Sequence, residues 1–543
     1  MKKFVSLQDI ITTIFSCTMK IEGQIVDIVT REIFQGSIEF ENGIITAINR
    51  HETHSQQYIL PGFVDAHNHI ESSMLPPREY ARMALRHGTI ATVSDPHEIA
   101  NVCGKEGVRF MLDEADQSPL KMCFAVPSCV PATPLCSAGA TLDAIAVAKL
   151  LEDPRMYALA EMMNFPGVVN KDADCLAKIE AAQRINKPVD GHAPLVTGEN
   201  LKKYVAAGIT TDHEANSLAE GEEKIALGMK ILIREGSTAR NFNTLHPLIS
   251  QHKDMLMFCS DDLKAVDLLE GHINKLLRKC IYLGYNLFDV LQIATLNPVR
   301  HYHIPMGLLQ TGDPADFIIC TDLKNFSPTA TYVDGHRVDD LPYQPVTQLL
   351  NNFKTRPISV SDITDNMEGK DLFDVIQVVD GDLYTPHIKL SRENMDQTQK
   401  IVVINRYEAK AHIGIGYIRG FDIQDGALAQ SIAHDSHHII ATGSSDELIV
   451  KAVNELIRMK GGIVVADPNK ISSLALPIAG LMSNNPIDEV ATAQQQLTTH
   501  LRMLRCPLMS PIVALSFMQL IVIPELKITD LGMFDVEKFE YIS

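Results

Sequence analysis

The chain contains no run of eighteen apolar residues, so no membrane-spanning helix is predicted. Basic residues are in deficit. Lys and Arg number 48 against 67 Asp and Glu, a formal charge of −19. Such a surface repels phosphate backbones and anionic lipid, so neither nucleic acid nor a membrane is expected as a partner. The ten cysteines are scattered and include no Cys-x-x-Cys, a pattern that fits reduced thiols in a cytoplasm. Met1-Lys2-Lys3 opens as a secretory leader would, but Asp9 interrupts the stretch and no small-residue cleavage site follows, so no leader is expected. No P-loop and no Gly-x-Ser-x-Gly elbow occur. Gly414-x-Gly416-x-x-x-Gly420 misses the dinucleotide fingerprint by one residue. His69-Ile70-Glu71 matches half of the zinc nucleobase-deaminase signature, whose Pro-Cys-x-x-Cys is absent.

What is present begins with size. At 543 residues, 45% hydrophobic and 21% charged, the chain is globular and too long for one core. Eight short apolar runs recur between residues 63 and 262: Phe63–Ala66, Ile90–Val93, Met122–Val126, Tyr157–Ala160, Pro188–Val189, Ile209–Thr211, Lys230–Ile233 and Met255–Phe258. Helix-like patterns such as Arg78–Arg86, Leu142–Leu151 and Ala173–Ile185 lie between them. Strand-helix alternation repeated eight times predicts an α/β fold, a (β/α)8 TIM barrel over residues 61–296. The flanks read as short strands: Ile25–Val29, Ser37–Phe40 and Ile44–Ile48, with an Asn42-Gly43 hairpin turn, then Gly307–Leu309, Asp316–Ile319 and Ala330–Val333. Residues 1–60 and 297–345 are therefore expected to form one small β-sandwich into which the barrel is inserted. Residues 340–360 read as a linker. Residues 361–543 supply a C-terminal α+β domain with strands Lys400–Ile404, Ala427–Ala433 and Gly462–Val465 and a helix Glu447–Met459.

Function in such barrels gathers where the strands end. Those ends read His67 and His69; Asp95, His97 and Glu98; Glu161; His192; His213 and Glu214; Arg234 and Glu235; Asp261 and Asp262. Only the third strand, ending near Ser128-Cys129, lacks a ligand type. Imidazoles and carboxylates crowded on one rim point to cations, and their number to two, bridged by the strand-four carboxylate. Mixed nitrogen and oxygen ligands suit Mn, Fe or Zn rather than Ca. Bound water then ionises near neutral pH, and a carboxylate such as Asp261 carries a proton to the leaving group. In the last domain, His434-Asp435-Ser436-His437 is expected at the barrel mouth, lining the pocket or an accessory metal site.

Pro61-Gly62-Phe63-Val64-Asp65-Ala66-His67-Asn68-His69 resembles the first-strand signature of the amidohydrolase superfamily, and Gly312-Asp313-Pro314-Ala315-Asp316 its closing β-sandwich motif. Longer strings resemble the bacterial-type adenine deaminases: His69–Met74, Ala160–Val168, Ile233–Ser237 and His434–His437. The resemblance implies hydrolysis of adenine to hypoxanthine and ammonia at a binuclear Mn2+ or Fe2+ site, with Zn2+ an alternative. Carried over residue by residue, it implies that His67 and His69 hold one metal and His192 and His213 the second. Glu161 would bridge, and Asp261 would ligate and shuttle protons. Glu71, Asp95, His97, Glu98, Glu214, Arg234, Asp262, His434 and His437 remain candidates for substrate contact or an accessory site. Asn68 stands where an apolar residue is expected, and Leu263-Lys264 where a basic-His-Pro stretch is expected. The runner-up activity is cyclic-amide opening of the dihydroorotase or hydantoinase kind, which often places a carboxylated Lys on strand four, where this chain has Glu161. A decayed, non-catalytic barrel is the third reading. A soluble, cytoplasmic homodimer acting on a small molecule is the expected form.

Overall fold

A computed structural model describes residues 18–237, 239–365 and 369–542. The leader reading and Cys17 fall outside the described residues. The nine cysteines within them are free thiols, and no helix among them is long and apolar enough to cross a membrane.

The N-terminal flank supplies β1 (Met19–Asp27), β2 (Glu32–Glu41), β3 (Ile44–Arg50) and β4 (Tyr58–Pro61). Asn42 and Gly43 both take positive φ, 51° and 81°, as a two-residue hairpin requires. The barrel strands follow: β5 (Phe63–Asn68), β6 (Thr89–Ser94), β7 (Lys121–Val126), β8 (Met156–Met162), β9 (Val189–Gly191), β10 (Thr211–Asp212), β11 (Lys230–Arg234) and β12 (Leu256–Cys259). Each lies within two residues of its expected position. Strands β5, β6 and β12 are buried along their whole length, which is why they read as unbroken apolar runs rather than alternations. The parallel strands β5 to β9 and β10 to β12 pair in order. Two seams complete the ring. Thr210 N–H donates to Val189 O at 2.8 Å between β9 and β10. Asp261 N–H donates to His67 O at 3.0 Å, and Asp261 O accepts from His69 N–H at 3.2 Å, between β12 and β5. Strands β9 and β10 are short because side chains take over the pairing there: Gly191 N–H reaches Thr211 Oγ1 at 3.3 Å. The strands approach so closely that a Cβ on Gly191 would lie 2.3 Å from Thr211 O.

The chain then returns to the first sheet with β13 (Phe317–Cys320), β14 (Pro328–Val333) and β15 (His336–Arg337). The order is β15-β14-β13-β4-β1-β2-β3. Both flanks thus build one seven-stranded sheet. It folds over its own core, with the Phe40 and Phe317 rings 5.7 Å apart. The expected strand at Gly307–Leu309 is absent. Its amides bond instead to side chains, Gly307 N–H to Asp316 and Leu308 N–H to Asp313.

The C-terminal part carries an eight-stranded sheet. Its strands are β16 (Leu372–Gln377), β17 (His387–Ser391), β18 (Gln399–Ile404), β19 (Ile413–Arg419), β20 (Ala427–Gln430), β21 (Ile439–Gly443), β22 (Gly462–Ala466) and β23 (Ile471–Ala475), in the order β17-β16-β19-β18-β21-β20-β22-β23. Helix α1 (Asp446–Met459) packs its apolar face on it, and α2 (Ile487–Met503) lies beside β23. Strand β20 stops three residues short of the expected Ala433; at that end the Ser431 and Gln430 side chains bond to Gly480 O and Ile512 O. Residues 340–360 are irregular but are no free linker. Tyr343, Val346 and Asn351 bond to Asn484 and Lys460, which straps the segment to the C-terminal part.

One buried ion cluster fixes the loops beyond β9 and β10. Lys224, fully enclosed, donates to Asp212 at 2.9 Å, Glu220 at 2.7 Å and Ala193 O at 2.7 Å. Replacing Lys224 by Met strands two acids and is expected to cost about 3–5 kcal/mol, read as a lower denaturant midpoint of the full chain. An unchanged midpoint would remove the cluster from the support of these loops.

Candidate functional site

The strand ends converge. His67 and His69 project from β5, Glu161 from β8, and His192, His213 and Asp261 follow β9, β10 and β12. All are buried except His192, which is 28% exposed at its side chain. His69 Nε2 lies 3.4 Å from Glu161 Oε1 and 3.3 Å from Asp261 Oδ1. His67 Nε2 lies 3.5 Å from the same Asp261 oxygen. The other Glu161 oxygen takes His192 Nδ1 at 2.7 Å and His213 Nε2 at 3.2 Å. The His67 and His213 rings stack with centroids 4.2 Å apart. Side-chain donor atoms therefore cluster within 4.8 Å in overlapping groups: His67, His213 and Asp261; Glu161, His192 and His213; His69, Asp95, His97 and Glu161.

Local bonds aim these groups. His69 Nδ1 faces the Asp95 carbonyl at 3.1 Å. That nitrogen must carry the hydrogen, which leaves the Nε2 lone pair directed into the cluster. Burial alone would raise the Glu161 and Asp261 carboxyls. The charge of His192, with bonds from His192 and His213, instead holds Glu161 well below the ordinary value. Arg234, with His67 and His69, does the same for Asp261. Arg234 Nη1 donates to Asp261 Oδ2 at 2.9 Å and Nη2 to Glu214 Oε2 at 2.9 Å, so Arg234 ties the ends of β10, β11 and β12 together. Two polar atoms at the centre, His67 Nε2 and Asp95 Oδ1, are buried without a hydrogen-bond partner. Buried polar atoms are seldom left so. A hard-to-borderline divalent cation fits them and the surrounding N/O donor set.

Beside the cluster lies an open cleft lined by Glu71, Glu98, Asp262, Lys264, His434 and Phe517 among others. Glu71 accepts from Ile99 N–H at 3.2 Å through Oε1, while Oε2 is buried and unpartnered. Burial, then the charge of Glu98, pushes its carboxyl up to about 7. His97 lies 3.1 Å from Asp95 and 3.7 Å from both Glu161 and Glu98. Asp262 accepts from the Ser72 hydroxyl.

The C-terminal part enters at Glu98. His434 Nδ1 lies 2.6 Å from Glu98 Oε1, His437 Nε2 bonds Glu98 Oε2, and Phe517 stacks on His434 at 4.5 Å. Ala433 N–H donates to His437 Nδ1 at 3.2 Å. The lone pair of His437 is thereby used, and its Nε2 carries the hydrogen given to Glu98. Burial lowers His437 to about 4. Burial also lowers His434, but Glu98 overrides it and raises that imidazole to about 9. The loop thus forms a cradle for Glu98 on the pocket wall. The donor atoms of Glu98, His434 and His437 lie within 4.8 Å of one another, a set that could also hold a cation. Residues that sequence reasoning passed over include Ser237 and Phe517 on the cleft, and the buried pair Asp65 and His272. Asp65 was visible in principle, two residues before His67 on one strand face; His272 carries no local signal.

The sequence model of the amidohydrolase family matches residues 58–338, and that of the adenine deaminase C-terminal domain residues 379–540. A curated relative from Methanosarcina barkeri, "Adenine deaminase", is 48% identical over 96% of this chain and 98% of its own length. One of the same description from Sulfurovum sp. is 48% identical over 97% and 99%. Among solved structures, a β-aspartyl dipeptidase from Fervidobacterium islandicum aligns over 61% of this chain and all of its own, at 15% identity and a TM-score of 0.46.

His434 binds a proton more tightly folded than unfolded. Its contribution to stability is full below about 6.5 and is lost as pH rises through about 9. Stability of the full chain should therefore fall across that window, by at most about 1.4 kcal/mol per pH unit from this group. His434→Gln should flatten the slope in urea titrations at several pH values; an identical slope would refute the pairing with Glu98.

Proposed function

The chain belongs to the amidohydrolase family, and from that premise we propose that it hydrolyses adenine to hypoxanthine and ammonia. The observation that carries the reading is the convergence of four imidazoles and two carboxylates beside a cleft, one wall of which comes from an adenine deaminase-type domain. In this reading His67, His69, Glu161, His192, His213 and Asp261 hold two divalent cations, Mn2+ or Fe2+, with Zn2+ as the third option. When bound, such ions acidify water so that hydroxide is available near neutral pH.

The residues of the chain do the rest. Asp261, pinned on one oxygen by Arg234, keeps its other oxygen at the cluster. From there it takes a proton from the attacking water and delivers one to the departing 6-amino group. Addition at C6 also pushes electrons onto the ring, so N1 needs a proton. Two carboxyls are candidates. Glu214 is gripped by Arg234 through both oxygens. Glu71 has one buried oxygen free and lines the cleft. Glu71 is accordingly assigned to N1. Phe517 and Ile512 supply apolar wall for the flat ring and exclude water. The rival cyclic-amide activity is disfavoured by Glu161, a carboxylate where a carboxylated Lys would serve. The working form is proposed to be a cytoplasmic homodimer.

Three outcomes are expected. Protein loaded with Mn2+ or Fe2+ should release ammonia from adenine and not from cytosine; ring opening of dihydroorotate, which frees no ammonia and is followed as carbamoyl product, without adenine activity would favour the rival. His67→Ala and Glu161→Ala should lose metal together with nearly all turnover. Asp261→Asn should keep the fold and lose at least ~10²-fold in rate, and near-normal turnover would exclude it as the proton carrier.

A further inference from the structure

A carboxylate outside the proposed ligand set holds two strand ends together. Asp65 is fully buried on β5. Its Oδ1 accepts from Ser260 N–H at 2.9 Å and from His67 N–H at 3.4 Å. Its Oδ2 accepts from the Ser260 hydroxyl, from Asn68 Nδ2 at 3.2 Å and from His272 Nε2 at 2.9 Å. Five donors thus meet one carboxylate. The His272 side chain is itself fully enclosed. Its Nδ1 lies 2.7 Å from Thr89 Oγ1 at the start of β6, and its Nε2 3.0 Å from the Tyr80 hydroxyl. The ring orientation is thereby fixed from three sides.

The residue that Asp65 grips by both backbone and side chain is Ser260, immediately before Asp261. Asp261 takes φ 54°, the left-handed region that L residues other than Asn and Asp seldom enter. Two bonds fix its own backbone, Asp261 N–H to His67 O and His69 N–H to Asp261 O, and Ser237 N–H to Asp262 O at 2.8 Å holds the residue that follows. A strand continuing from Cys259 would relax toward extended φ and swing the carboxylate out of the cluster. The grip on Ser260 opposes that relaxation on one side, and the seam to β5 opposes it on the other.

We infer that Asp65 and His272 are positioning residues that hold the Asp261 backbone in its left-handed conformation, and so aim its carboxylate for proton transfer. The inference rests on Asp261 as the proton carrier. His272 does not touch substrate or cation in this arrangement; it acts through Asp65 and Ser260.

The test uses full-length holoprotein carrying His272→Ala, with His272→Gln as the variant that restores an N–H donor, and Asp65→Asn as a second route should either fold poorly. Expected for His272→Ala are undiminished metal stoichiometry, KM for adenine within about twofold, and kcat lowered roughly 10–100-fold, the range for groups that orient ligands. His272→Gln should recover part of the loss. A crystal structure of metal-free His272→Ala should show Asp261 out of the left-handed region. Retention of that φ with unchanged kcat would overturn the inference. So would metal loss in proportion to activity, since the network would then serve the ligands rather than Asp261. If the unsubstituted protein releases no ammonia from adenine, the proposed substrate falls, and the crystallographic arm still decides the inference.

Discussion

Glu161 and Asp261 lie on either side of His69, each about 3.3–3.4 Å from its Nε2, and keeping these two acids ionised inside the protein is the constraint around which the rest is arranged. An isolated buried carboxylate would shed its charge by taking a proton. Here each is surrounded by groups that reward ionisation: His192 and His213 on Glu161, Arg234 and His67 on Asp261. Those partners come from four different strand ends. The barrel must therefore be closed, and closed in register, before the charges balance. A ring open at the seam between β12 and β5 would separate Asp261 from both histidines of β5.

The same constraint explains why the supporting loops carry so many buried charges. Lys224 balances Asp212 and Glu220 beneath His192 and His213. Arg234 spans Glu214 and Asp261. Such pairs add little net stability against an apolar core of equal volume. Their value lies in geometry, since a charged side chain with three or more directed bonds permits fewer placements than a methyl-rich one. The site is held by directional bonds where the barrel wall is held by non-directional packing.

Much of this was legible. Eight barrel strands follow from apolar runs because a parallel strand is buried on both faces and advertises itself without partners. The ligand-type residues follow from one rule, that chemistry sits where those strands end. What was not legible depends on pairs far apart in sequence. His272 reaches Asp65, and His434 reaches Glu98, through the folding of the chain alone. Neither histidine sits in a period or spacing that names its partner. Strands β9 and β10 were hard to bound because three and two residues leave no periodicity, their pairing being carried by Thr210, Thr211 and Gly191. Residues 340–360 misled by composition. Asn, Gln and Pro suit a solvated linker, yet the same amides suit a strap that bonds to loop carbonyls.

Two departures from the family-like pattern acquire meanings of different kinds. Asn68, where an apolar residue was expected, donates to Asp65 at 3.2 Å and to the Tyr80 hydroxyl at 2.8 Å. It extends the network that grips Asp65, and an apolar side chain there would leave Asp65 with one donor fewer and Tyr80 without that partner. Leu263-Lys264 is more consequential. Leu263 turns inward and is buried, while Lys264 lines the cleft with its ammonium pulled down by burial. It lines the cleft together with Glu71, Glu98, Asp262 and the imidazole of His434. Asp267 and Asp262 are the acids whose charge offsets that burial, so the ammonium is held at the cleft by the same balance of desolvation against nearby opposite charge that governs the buried carboxylates.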